Sequence, residues 1–310
     1  VTRRGVPLSF GVVILAGIVV VLAGCSQEAV DISGSPAQES TPDQVYEHVA
    51  PDGSVHAVLH EEFESVRLPL DEFLPTTDEM LAVTHANDLL ILDCLRQSGR
   101  DYSPAHVDWQ GGWDEPFNRR YGSWSVSRAA VYGYDVPESA YEKSVMAAVA
   151  ADGTPSAEQM AAESRCGQSV ERLPNLTEDA GHSDNPTEAL MVVVDEGRYG
   201  GGDAAFESEE FPKVRAALAE CFARSGLSMS DDASSFEVTN KPEDAEGEVR
   251  TAVAEATCHQ EVKVEQTLYD IQAQYQAGYI AAHEAELAVV KQKQAEVLER
   301  AKKVIAEHGG

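Results

Sequence analysis

Three sets of side chains in this sequence have types and spacings that could do chemistry: cysteines, an aromatic cluster with arginines, and a few histidines beside acids. None of the five cysteines stands in a C-x-x-C pair, the spacing a zinc ribbon or a dithiol redox centre needs. Cys94, Cys166, Cys221 and Cys258 form an even set. In an oxidising compartment such a set reads as two disulfides, with three pairings open. All three tryptophans, Trp109, Trp113 and Trp124, fall close together, with Phe117, Arg119, Arg120 and Tyr121 between them and Tyr132 and Tyr134 just beyond. Rings beside guanidinium groups can stack on a sugar or clamp a carboxylate or phosphate. Trp109, Trp113, Arg119, Arg120, Tyr121 and Trp124 are therefore a candidate ligand surface. The competing reading puts the rings in a core and pairs the arginines with surrounding acids. The bulk that a small bridged module needs favours that second reading.

The other constellations are fragmentary. His60-Glu61-Glu62-Phe63-Glu64 and His283-Glu284-Ala285-Glu286-Leu287 begin like zinc-protease helices but lack the second histidine of that face. His56 and His60 lie four apart next to Glu61, and they read as solvated surface rather than as a zinc site. Gly197 to Asp203 is glycine-rich without the Lys-Ser/Thr of a phosphate loop, and reads as a mobile loop. Asp231, Asp232 and Glu237 lack the alternation of a calcium loop. No nucleophile motif and no distinguishable acid–base pair stands out, so the sequence nominates no catalytic residue, no metal and no cofactor.

The elements that carry these residues read as helices. Thr76 and Glu79 have capping-box spacing, and Met80, Val83, Ala86, Leu90 and Cys94 recur at three and four until Gly99 stops the pattern. Ser156 and Gln159 open a helix containing Cys166. Pro212 suits a first helical position, with Val214, Leu218, Cys221 and Phe222 on its apolar face and Gly226 as its stop. Ala254, Cys258 and Val262 share one face of a fourth helix. Leu190 to Val194 suits a strand by propensity, whereas its flanks suit a helix. Cys94-Leu-Arg-Gln-Ser-Gly99 resembles Cys221-Phe-Ala-Arg-Ser-Gly226, a weak internal repeat. Locality then favours Cys94–Cys166 and Cys221–Cys258, each bridge clamping its own module. The chain from Leu268 onward is helical with a phase shift. Its last stripe, Leu287, Val290, Val297, Leu298, Ala301, Val304 and Ile305, would serve either a coiled coil or a helix folded back on its own module. The short, interrupted repeat favours the second.

The N-terminal stretch is a targeting segment. Arg3 and Arg4 precede an uncharged apolar run, Ser9 to Gly24, that ends in Leu22-Ala23-Gly24-Cys25. Val1 is what a GTG start codon gives when translated literally. The Leu-Ala-Gly-Cys ending resembles the lipobox of bacterial lipoproteins. That resemblance implies cleavage before Cys25 and a diacylglyceryl group, such as palmitate-bearing acyl chains, on its thiol. Two or three chains anchor a protein stably where one does not. Removal of the segment takes Arg3 and Arg4 with it and the formal charge from −30 to −32. So acidic a body is repelled by nucleic acid and by anionic headgroups. The expected organisation is a signal peptide over 1–24, a flexible acidic tether over 25–58, a first helical module over 59–180 and a second over 181–310. As a coil the tether spans roughly 30 Å.

Further residues resemble uncharacterised secreted lipoproteins of actinobacteria that carry paired-cysteine helical segments. The matching pieces are Asn87-Asp88-Leu89-Leu90 ahead of Cys94, Asn118-Arg119-Arg120-Tyr121-Gly122, and Ala129-Ala130-Val131-Tyr132-Gly133-Tyr134. Phe211 to Ala217 before Cys221 and Gln274-Tyr275-Gln276 also match. The resemblance implies a mainly α fold with little or no β, which tips Leu190 to Val194 toward helix, and it implies no activity. Phe211 departs from the pattern, where a capping residue such as Asp would be expected.

The expectation is therefore a lipid-anchored protein on the outer face of the cytoplasmic membrane, binding or scaffolding rather than catalysing. Its partners would be the membrane, through Cys25, and an envelope protein or glycan, not nucleic acid. The alternative is an envelope enzyme or glycan binder that uses the Trp109 to Tyr134 segment.

Overall fold

Capping and apolar periodicity set the helix boundaries. The computed structural model describes residues 49–99, 117–138, 140–152, 156–174, 176 and 188–308. Among them are nine α-helices and one short antiparallel hairpin, so the fold is mainly α. Helix α1 (Thr77–Gln97) starts in the expected capping box: Thr76 Oγ1 accepts from Glu79 N, and Glu79 Oε2 accepts from Thr76 N at 2.7 Å. Its stripe buries Leu81, Val83, Ala86, Leu89 and Leu95, while Cys94 is half-buried beside it. Helices α2 (Val126–Tyr132), α3 (Ala140–Asp152) and α4 (Ala157–Ser169) follow, and Ser156 caps α4 through Gln159 N. Gly99 and Gly226 take the left-handed conformation that ends a helix.

Leu190 to Val194 lies in helix α5 (Glu188–Glu207), and so does the glycine-rich segment expected as a loop. A Cβ on Gly197 would come within 2.6 Å of Leu70 and Tyr279, and one on Gly202 within 2.6 Å of Arg120. The glycines are notches that let neighbours approach the helix axis. The packing they permit offsets their poor helix propensity of roughly 1 kcal/mol each.

Helix α6 (Glu210–Arg224) buries Phe211, Val214, Leu218, Cys221 and Phe222. It begins two residues before the expected start, so Pro212 is its third residue, where its missing N–H is still one that no helical carbonyl would accept. Phe211 is a core residue, and the cap function expected there belongs to Ser208, whose Oγ accepts from Phe211 N at 3.2 Å. Helices α7 (Ala245–Val262) and α8 (Val264–Ala282) meet at left-handed Lys263, and α9 (Glu284–His308) follows His283.

The two bridges join Cys94 to Cys166 and Cys221 to Cys258, with Cα atoms 5.8 and 5.6 Å apart, across 72 and 37 residues. Each clamps a helix pair, α1 to α4 and α6 to α7. In the chain-entropy account each stabilises the fold by about 4 kcal/mol.

The clamped pairs share one compact unit, and the expected boundary near residue 180 is crossed throughout. Helix α2 packs on α7, α5 on α8, and α9 on both α5 and α1. The C-terminal helix is thus folded back, onto α5 of its own half of the chain and onto α1 of the other bridged pair. Its buried residues are Leu287, Val290, Gln294, Val297 and Ala301, an alternation of three and four. The interruption in the repeat is Gln294, whose amide donates to Phe73 O at 2.9 Å. Val297 and Ala301 pack with Val83, Ala86, Leu173 and Leu176. Asn87 then exchanges two hydrogen bonds with the Leu173 backbone, at 2.7 and 3.1 Å.

The expected tether over 25–58 is too long at its C-terminal end. Val49 and Ala57 are buried, Asp52 N donates to Gln274 O at 3.0 Å, and Ala50 lies against Gly278. Residues 49–57 are docked along α8 because Gly278 leaves room for them. Cys25 and the rest of the N-terminal segment lie outside the described residues.

Candidate functional site

Charge converges at one place. The hairpin of β1 (Val58–His60) and β2 (Ser65–Arg67) turns through Glu64, whose φ is +54°. A left-handed non-glycine residue costs on the order of 1 kcal/mol or more, so its surroundings must hold it. They do so through its side chain, which is fully buried. Glu64 Oε1 accepts from Trp124 N (2.7 Å), Ser125 N (3.1 Å) and Ser123 Oγ (3.1 Å), and Oε2 accepts from Arg119 Nε at 2.7 Å. Arg128 Nε lies 3.9 Å from Oε2. The backbone joins in, with Asn118 N donating to Glu64 O at 2.8 Å. Because Ser125 caps α2, the carboxylate also sits at the positive end of that helix.

The same strand of chain, residues 117–125, is held from its other side by α7 and α8. Glu255 Oε1 accepts from Ser123 N at 2.9 Å, and its other oxygen accepts the Tyr134 hydroxyl. Four residues on, one helical turn, His259 is fully buried with Nδ1 2.7 Å from Glu265 Oε1, across the α7–α8 junction. Gly122, with φ +124°, closes over this pair. A Cβ there would lie 2.8 Å from Glu255 Oε1 and 2.9 Å from His259 Nε2 and Cε1, so only glycine fits. Burial acts to lower the His259 pKa, but the Glu265 carboxylate and its hydrogen bond, with Glu255 and Glu64, outweigh it and leave the value raised. Burial likewise pushes the Tyr121 hydroxyl up to about 12.

The aromatic segment falls on this cluster. Tyr121 is 1% and Trp124 3% exposed. Tyr121 packs among Phe206, Phe236 and Tyr269, and its hydroxyl accepts from Gln272 Nε2 at 2.6 Å. Trp124 Nε1 donates to Asn118 O. Arg119, besides its Glu64 pair, donates to Tyr134 O and covers the Phe117 ring. Tyr121 and Trp124 are thus interior residues and Arg119 is half-buried beside them, which is the core reading of these three candidates and not the ligand-surface one. Arg120 is exposed, with its guanidinium over the Phe206 ring. Trp109 and Trp113 lie outside the described residues.

The fragmentary histidine motifs do not assemble. His56 pairs with Asp270 at 3.0 Å, Glu61 accepts from Gln260, and His283 pairs with Glu286. Among the described residues no group of three or more His, Cys, Asp or Glu side chains could hold a metal ion. Among them, too, no helix is long and apolar enough to cross a membrane.

Glu64, Glu255 and Glu265 escaped the reading of the sequence because nothing local separates them from the other acids. The one available signal was the four-residue spacing of Glu255 and His259, which puts both on the face of α7 that also buries Ala252 and Ala256.

An acid–base set this convergent is what a catalytic reading would need. Here Glu64 accepts from four donors, and the side chains of His259 and Glu265 are 0% and 4% exposed. Such a set fastens three segments together. No family model, curated protein or solved structure matches the chain.

Proposed function

We propose that the chain is a lipid-anchored extracytoplasmic protein whose rigid helical body binds or scaffolds an envelope component and does not catalyse. The observation that carries the reading is the sealing of the acid–base cluster. The groups best suited to proton transfer are packed behind Gly122 and hold backbone, which supports a structural use of them over a catalytic one. Two disulfides support an oxidising location. The apolar run ending in Leu-Ala-Gly-Cys25 supports the anchor, and the net charge supports a partner other than nucleic acid. The glycan-enzyme alternative needed Tyr121 and Trp124 at a surface, and their burial speaks against it at those two positions.

The test is photo-crosslinking in intact cells from exposed positions such as Tyr199, which is 67% exposed. Discrete crosslinked species that weaken when Cys25→Ala removes the anchor are the expected result. The reading fails if every exposed position yields none, or if the purified protein turns over an envelope glycan or peptide and His259→Gln abolishes that turnover.

A further inference from the structure

The buried cluster holds more than a static ion pair. His259 joins α7 to α8 through Nδ1 and Glu265, while Nε2, equally buried, has no hydrogen-bond partner. Nε2 instead abuts Gly122, on the segment that Glu64 and Glu255 hold. We propose that His259 is a proton-operated latch: its imidazolium holds residues 117–134 against α7 and α8, and loss of its proton releases them.

The charges around it decide the sign. Glu255 faces His259 from its own helix and Glu265 from α8. Glu64 faces it from the hairpin, with Arg119 from the 117–125 segment and Arg128 from α2 on Glu64. From α6 and from the loop before α7 the rings of Phe222 and Phe236 face it. Three buried carboxylates thus meet two guanidinium groups, and the protonated imidazole completes the balance. A neutral His259 would point the Nε2 lone pair into the field of Glu255 and Glu64 and leave the interior with one uncompensated negative charge. That is costly where water cannot screen it.

The raised pKa agrees. A histidine whose folded pKa exceeds the unfolded value of about 6.5 contributes fully below that value. It loses the contribution as pH rises through the folded value, and the folding equilibrium changes about tenfold for each pH unit that separates the two. The latch is therefore closed below about pH 6.5 and slackens as pH rises through the folded value, with or without the lipid.

Hydrogen exchange of the full chain tests this, with rates corrected for intrinsic pH dependence. Between pH 6 and 9, peptides from 117–134 should lose protection relative to peptides from α9, by about tenfold for each pH unit by which the His259 inflection exceeds 6.5. His259→Gln should abolish the pH dependence. Deuterium exchange at the His259 imidazole C2 position, followed by mass spectrometry of the unmutated chain, reads the titration even if the variant does not fold. An inflection above pH 6.5 is expected. An inflection at or below that value, or a 117–134 segment that tracks α9 at every pH, overturns the proposal.

Discussion

Replacing Glu64 by glutamine removes one charge and almost no volume, and it should be among the most damaging single changes in the chain. The carboxylate is wholly buried and accepts from two backbone N–H groups, a serine hydroxyl and the Arg119 guanidinium. In Glu64→Gln the amide oxygen can keep the contacts to Trp124 N and Ser125 N. Its NH₂ then faces Arg119, donor against donor. Breaking a buried charge pair from one side costs about 3–5 kcal/mol, because the remaining charge is left uncompensated. The side chain also holds residue 64 at φ +54°, so a weakened grip frees a backbone strain of about 1 kcal/mol, which reduces the net loss slightly. The expected destabilisation is about 3–4 kcal/mol, a large share of the 5–15 kcal/mol typical of a domain. Urea unfolding with both disulfides intact, followed by far-ultraviolet circular dichroism, measures it. A second variant, Glu64→Gln with Arg119→Gln, should recover about 1 kcal/mol or more relative to the sum of the two single changes, since neither charge is then stranded. A Glu64→Gln variant within 1 kcal/mol of the parent, or strict additivity in the pair, would refute the idea that this carboxylate fastens the hairpin to the interior.

Gly122→Ala should be nearly as severe, at about 2–4 kcal/mol by the same unfolding assay, because it combines a φ of +124° with a Cβ inside contact distance of Glu255 and His259. An alanine variant of parental stability would mean that the lid over the cluster is looser than the geometry says. Replacing Cys221 and Cys258 together by alanine should cost about 4 kcal/mol from loop entropy across 37 residues, and the Cys94–Cys166 pair should cost slightly more across 72. Non-reduced peptide mapping should find those two bridged peptides, and a Cys94–Cys221 peptide would sink the two-clamp description.

Helix starts and stops were legible in the sequence because each depends on a local chemical fit. Thr76 with Glu79, Ser156 as a helix cap, Gly99 and Gly226 all act where their types and spacings predict, although the Gln159 amide turns to Glu163 instead of closing a capping box. The bridges followed from locality. What the sequence concealed is nonlocal. Gly197 and Gly202 look like loop residues until Tyr279 and Arg120 are seen to press on them, and Gln294 looks like a break in a heptad until Phe73 O meets its amide. The tether ended early because Gly278, far along the chain, made space for Ala50. Among 53 acidic residues, the three that matter most to the interior are distinguished only by what folds onto them. The aromatic segment was visible as a cluster. The inward orientation of Tyr121 and Trp124 depends on Glu64 and α8, which local patterns do not encode.

The proposed anchoring of this helical body to a membrane through one modified thiol is tested most directly by the mass of the mature N-terminal peptide. Protein recovered from the membrane fraction of the producing cells should begin at Cys25, with a diacylglyceryl mass on that residue. A mature N-terminus elsewhere, or Cys25 carrying a free thiol in the membrane-bound protein, would contradict it.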